Sequence, residues 1–159
     1  MNFPTSVKSG FSNYANFKGR ASRSEFWWFA LFSQLVQTLI QGISAPTASI
    51  ASLVLFLPNL SLHVRRLHDI GRSAKWLIWL AVSVAGVVIA FVGLLMQTAQ
   101  SIANLDTKQL FDNGSQVWIF VMFVFFISGL VSAVVNFVFT LIPSNSEMNK
   151  YGPPPPPTL

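Results

Sequence analysis

The chain has 159 residues, of which 52% are hydrophobic and only 9% charged, with fifteen Phe, five Trp and no Cys. A soluble domain carries about 25% charged residues, so this composition excludes an ordinary water-soluble domain and indicates an integral membrane protein. The lack of Cys excludes disulfides, thiolate metal sites and cysteine nucleophiles; the formal charge of +5 informs only through where the charges lie.

In chain order, residues 1–25 form a polar segment holding Lys8, Lys18, Arg20 and Arg23. A cleavable secretory signal starts its apolar run sooner than Phe26, so the first run is read as retained. Crossing a bilayer as a helix takes roughly 20 apolar residues, and four runs meet that need. They are 26–44, 47–64, 76–96 and 117–142. The second is short, but it lengthens if Arg65 and Arg66 snorkel to the interface. Pro58 removes one of its backbone hydrogen bonds and predicts a kink. The turn at Ala45-Pro46 between the first two runs is tight and uncharged.

Orientation follows from Lys and Arg. With four spans, nine of the ten basic residues fall on one side, and Lys108 alone falls on the other. The fold expected is therefore an all-α integral membrane protein with four transmembrane helices and both termini cytoplasmic. Trp27, Trp28, Trp76, Trp79 and Trp118 sit at span ends, as an interfacial aromatic belt requires. The outer loop, 97–116, carries Asp106, Lys108 and Asp112. A cytoplasmic Pro-rich tail, 143–159, closes the chain, and its proline run favours an extended, solvated end.

A third of the charged residues and both histidines are concentrated in SLHVRRLHDIGRSAKW, residues 61–76. On a helix at 100° per residue, Arg65, His68 and Asp69 share a face and His63 lies nearly opposite. The two histidines do not converge, so no metal site and no cofactor are expected. The local reading is an ion-pair network in which Asp69 bridges Arg65 at i, i+4 and Arg72 beyond. Gly71 ends the helix as a left-handed cap. Upstream, Ser22-Arg23-Ser24-Glu25 is a capping box opening the first span, and Glu25 is also placed to cross-pair with Arg65 or Arg66. His68, Asp69 and Glu25 are thus structural ion-pair candidates.

The same arginines suggest a binding face. Arg20, Arg23, Arg65, Arg66 and Arg72 would line one cytoplasmic surface, where basic pockets between spans hold anionic lipid headgroups and Arg forks suit phosphate. Anionic lipid or a protein partner is expected there; nucleic acid is not. The span interiors lack Asp, Glu, Lys, Arg and His at their centres, which argues against a proton relay. Neutral polar stripes do exist. Gln34, Gln37, Thr38 and Gln41 lie on span one, and Ser128, Ser132, Asn136 and Thr140 on span four. They offer the alternative reading of a small channel or transporter. A membrane enzyme using His68-Asp69 on a phosphorylated or lipid substrate is a third. Gly86-x-x-x-Ala90 and Gly129-x-x-x-Ala133 would let spans three and four, or two copies of the chain in a homo-oligomer, approach closely.

FKGRASRSEFWWFALF, SLHVRRLHDIGRSAKWL and NKYGPPP together resemble the bacterial inner-membrane family catalogued as domain of unknown function 805. The resemblance runs from about Phe11 to Pro154. It implies a small multi-pass protein of the bacterial cytoplasmic membrane and no activity, hence no catalytic residue. The loop at 97–116 and the fourth span are longer than a minimal member needs.

Overall fold

The computed structural model describes residues 1–42, 44–104 and 113–155. They form five helices: α1 Phe3–Ser12, α2 Arg23–Gln41, α3 Ala45–Asp69, α4 Lys75–Ala103 and α5 Asn113–Leu141. Two compact units emerge. One holds Met1–Ala74 with the residues from Val138 onward, and the other holds Lys75–Phe137.

In the first unit, α1 is a helix that the span reading left inside a polar segment. Asn2 caps it, its side chain accepting from Thr5 N at 3.1 Å, and Pro4 sits in its first turn, where a missing N–H costs nothing. Phe3, Val7 and Phe11 recur at i, i+4, i+8, a helical apolar stripe. Phe3 meets Trp28 at 5.8 Å between centroids, and Phe11 meets Phe29 at 5.5 Å. Gly10 lies against the Phe29 ring, where a Cβ has no room. Aromatic pairs of this kind exceed their area burial by about 0.5–1.5 kcal/mol each.

Helices α2 and α3 pack antiparallel. Glu25 faces Arg65 near one end, and Asn59 Nδ2 donates to Ser33 Oγ at 3.1 Å further along. The expected kink at Pro58 is managed within an unbroken helix. Proline cannot donate to the carbonyl four residues back, which leaves Val54 O free. The Tyr14 hydroxyl, arriving from the loop after α1, donates to that oxygen at 2.5 Å. Asn59 Nδ2 also donates to Leu55 O at 2.7 Å. Between α2 and α3 lies a cavity of about 450 Å³ lined by Ser33, Gln34, Gln37, Ser52 and Asn59 among others, so part of the polar stripe on α2 faces α3.

The second unit is an α4–α5 hairpin. Contacts rise along one helix as they fall along the other, which makes it antiparallel. Asn136 Nδ2 reaches Trp76 O at 3.4 Å, Ser83 Oγ and Ser128 Oγ are 3.1 Å apart, and Gly93 receives the Trp118 indole, with a Cβ built there 2.7 Å from the ring. Gly86 likewise faces the Phe125 ring, and Gly129 faces Ser83. The small residues therefore accept side chains from the opposite helix. Ser128 and Asn136 are engaged with α4, and Asn136 also bonds Ser132 O at 2.8 Å.

Outside these contacts the helices are apolar and exposed: Leu53, Phe56, Ile89, Met96, Phe120 and Phe123 are each 60% or more accessible. In water such a surface would aggregate; in lipid it is the preferred one. Three helices, over Pro46–Asp69, Lys75–Ala103 and Gly114–Leu141, are long and apolar enough to cross a membrane. Helix α2 carries Arg23, Glu25, Gln34, Gln37 and Gln41 within its 19 residues and is not among the three. Helix α4 runs past the expected span by about two turns, to Ala103. Asp106, Lys108 and Asp112 of the expected outer loop lie outside the described residues, as do Pro156 and Pro157 of the proline run.

Candidate functional site

The charged motif closes α3. Gly71 stands at φ +74°, the left-handed conformation expected for it. Arg72 N donates to Leu67 O at 2.9 Å and Gly71 N to His68 O at 3.0 Å. Those two bonds make a Schellman cap. LHDIGR therefore encodes a helix stop that fixes where His68 and Asp69 point.

Asp69 is completely buried and holds two guanidinium groups. Arg20 Nε and Nη2 both lie 2.9 Å from Oδ1, and Arg66 Nη1 donates to Oδ2. The expected partners were Arg65 and Arg72. Arg65 instead turns to α2, where its Nη1 donates to Glu25 Oε1 at 3.2 Å, and Arg72 lies over the Phe139 ring at 5.6 Å. The reason is angular. One residue is 100° of rotation, so Arg65 and Arg66 serve different neighbours, and the i, i+3 partner of Asp69 prevails over the i, i+4 one. Glu25 also accepts from Ser9 Oγ at 2.8 Å. Ser22 Oγ accepts from Glu25 N at 3.2 Å, while the Glu25 carboxylate is turned to Ser9 and Arg65.

Arg65 and Arg66 were expected to snorkel outward. They are 5% and 0% exposed, because buried carboxylates and carbonyls offer them better partners than the interface. Two donors of Arg65, Nε and Nη2, have no hydrogen-bond partner among the described residues, and neither does His63 Nε2. His63 meets the Phe26 ring edge-on at 5.3 Å, away from His68.

The arginines also bind the end of α5. That helix has no basic residue in its last turn, and its final carbonyls need donors. Arg66 supplies them to Thr140 O at 3.3 and 3.4 Å and to Ile142 O. Arg23 Nη1 reaches Leu141 O at 3.0 Å. Cations there also oppose the negative end of the helix dipole. Arg20 Nη1 donates to Glu147 O at 2.7 Å, and its Nη2 to Asn145 O. The loop after α1, the start of α2, the end of α3 and the end of α5 thus converge on one clasp of Arg20, Arg66 and Asp69.

The segment before the proline run packs against this clasp. Asn149 Nδ2 donates to His68 O at 3.0 Å. Tyr151 stacks on His68, ring centroids 3.8 Å apart and planes 7° from parallel. His68 Nδ1 lies 3.3 Å from Gly19 O, so its contacts are a carbonyl and a ring. Ser9, Tyr14, Asn149 and Tyr151 were not singled out from the sequence. For the last two a signal was present: Asn-x-x-Gly is a turn pattern, realised with Asn149 and Gly152 bonded to each other and Gly152 at φ +122°. Among the described residues, no group of three His, Asp or Glu converges as metal ligands would.

Residues 14–105 match the family described as Protein of unknown function (DUF805). The chain is 38% identical over 87 residues to inner membrane protein YhaI of Escherichia coli K12, covering 50% of this chain and 74% of YhaI. It is 32% identical over 92 residues to inner membrane protein YhaH of the same organism, covering 50% and 75%. A third relative there, the uncharacterized protein YiiR, is 39% identical over 70 residues, 38% of this chain and 46% of YiiR. No solved structure matches.

Proposed function

The chain belongs to the family described as Protein of unknown function (DUF805), and on that premise we propose a non-enzymatic, multi-pass protein of the bacterial inner membrane whose basic cytoplasmic face binds anionic lipid. Four crossings with both termini in the cytoplasm suit the clasp. It joins the start of α2 to the ends of α3 and α5, which supports a reading with those three points on one side of the bilayer. Helix α2 then crosses as the fourth span, with Gln34 and Gln37 lining the cavity against α3.

The observation that carries the lipid reading is how the cations divide. Arg20, Arg65 and Arg66 are buried with Glu25 and Asp69; they order the face and do not present it. Arg23, Arg72, Lys8, Lys18 and Lys150 are exposed, and the acid exposed with them in this unit is Glu147. Juxtamembrane Lys and Arg are worth about 1 kcal/mol each near an anionic surface. Arg23 and Arg72 are the binding residues of the five-arginine set; Arg20, Arg65 and Arg66 position them. A protein partner would meet the same exposed pair.

Native mass spectrometry of protein extracted in mild detergent tests this. Wild type is expected to retain phosphatidylglycerol or cardiolipin in preference to phosphatidylethanolamine. Arg23→Gln with Arg72→Gln should weaken that preference while the protein stays folded. Equal retention by the double variant would refute lipid binding through these two residues.

A further inference from the structure

Beside the clasp opens a cleft of about 280 Å³ lined by Phe17, Lys18, Gly19, His68, Lys150 and Tyr151. Its chemistry is one-sided. Lys18 comes from the loop after α1 and Lys150 from the segment after α5, so two lysines far apart in the chain line one small space. Among the described residues no carboxylate lines it. Asp69, next to His68 in sequence, has Oδ1 held by Arg20 and Oδ2 by Arg66, and is therefore already committed. Two cations lining one cleft without a carboxylate in its walls give it a positive potential, which an anion bound there would offset.

The walls are built rather than loose. Gly19 O holds the His68 ring at Nδ1. Tyr151 stacks on that ring at 3.8 Å, and Lys150 Nζ lies 5.0 Å from the Tyr151 ring centroid. Arg20 donates to Gly152 O at 3.3 Å, and Asn149 to His68 O, so the clasp itself fixes the turn that carries Lys150 and Tyr151. Fixed walls lower the ordering cost of binding. Lysine ammonium groups are compact donors able to engage tetrahedral oxygens.

We infer that this cleft is a discrete binding site for one phosphate group, held by Lys18 and Lys150 against the His68–Tyr151 stack. The phosphate belongs either to an anionic phospholipid headgroup or to a small phosphorylated solute, since both present the same oxygens. This goes beyond the lipid reading of the face: it is a saturable site with one occupant per chain, at residues other than Arg23 and Arg72.

The test is calorimetric titration of the full chain in maltoside micelles. The probes are inorganic phosphate, short-chain phosphatidylglycerol and, as the zwitterionic comparison, short-chain phosphatidylcholine. One-to-one binding of phosphate or phosphatidylglycerol is expected, weakened about tenfold or more by Lys18→Gln or Lys150→Gln. Lys8→Gln, an exposed cation that does not line the cleft, should leave the binding of inorganic phosphate unchanged. Binding of phosphatidylglycerol alone assigns the site to a lipid headgroup; binding of free phosphate alone assigns it to a solute; competition between the two assigns it to both. No saturable binding of either probe, or binding unchanged in the Lys18→Gln/Lys150→Gln double variant, overturns the inference. If only Arg23→Gln with Arg72→Gln weakens phosphatidylglycerol binding, the cleft is refuted and the lipid-binding face stands. Both lysines are exposed, and thermal unfolding of each variant verifies that the fold is kept.

Discussion

Asp69 has no solvent to fall back on. Its two oxygens serve two arginines that are themselves buried, so neutralising it leaves two guanidinium charges facing each other across an amide. Breaking a buried pair in this way costs about 3–5 kcal/mol, and Asp69→Asn is expected to lower stability by that order. Glu25→Gln should cost less, because Glu25 balances one arginine and keeps a hydroxyl donor, Ser9. Denaturant or thermal unfolding of both variants in detergent checks the ranking, and equal losses would show that Asp69 is not the keystone of the clasp. The carboxylates and arginines were legible in the sequence, as was the cross-pair of Glu25 with Arg65 or Arg66, but the partners of Asp69 were not. Local spacing favoured Arg65 for Asp69, whereas Arg65 is drawn to Glu25 on a different helix, which no spacing rule within α3 encodes.

At the scale of the helix, α3 shows how a proline is tolerated inside a span. Pro58 leaves Val54 O without its N–H, and Tyr14 supplies a hydroxyl. Tyr14→Phe should then cost about 1 kcal/mol, the net worth of such a bond. In a Pro58→Ala background the backbone N–H restored at position 58 can take Val54 O itself, so the same tyrosine substitution should cost close to nothing. This double-mutant cycle fails if Tyr14→Phe costs the same in both backgrounds. Pro58 was recognisable from the sequence as a break in the hydrogen-bond ladder; its remedy was not, since Tyr14 lies far off in the chain. Helix α1 was missed for a related reason. Its apolar stripe is only Phe3, Val7 and Phe11, too short to register as a span, and it is stabilised by aromatic contacts with α2 that only the packed structure supplies.

For the whole molecule the decisive property is which ends share a side of the membrane. The chain has no Cys, so single cysteines report cleanly. Asn16→Cys and Asn145→Cys should both react with a membrane-impermeant thiol reagent only after the cytoplasmic side is opened, and Gln100→Cys should react in intact cells. Labelling of residues 16 and 145 from opposite sides would mean an odd number of crossings and would sink the four-span arrangement. The balance of Lys and Arg made the same prediction from sequence, and the clasp supports it through a different physical argument, a set of hydrogen bonds that cannot extend through a bilayer.

The sequence by itself determined the class of the molecule. Apolar runs long enough for a bilayer, the motif that stops α3 at Gly71 and the concentration of cations beside that stop are all properties of neighbouring residues, set by local backbone and solvation physics. Only the tertiary structure decided what those cations do. Burial turned Arg20 and Arg66 into donors for Asp69 and for the carbonyls closing α5, because a charge removed from water must find partners wherever the fold brings them. The same convergence of distant segments left Lys18 and Lys150 facing one small cleft.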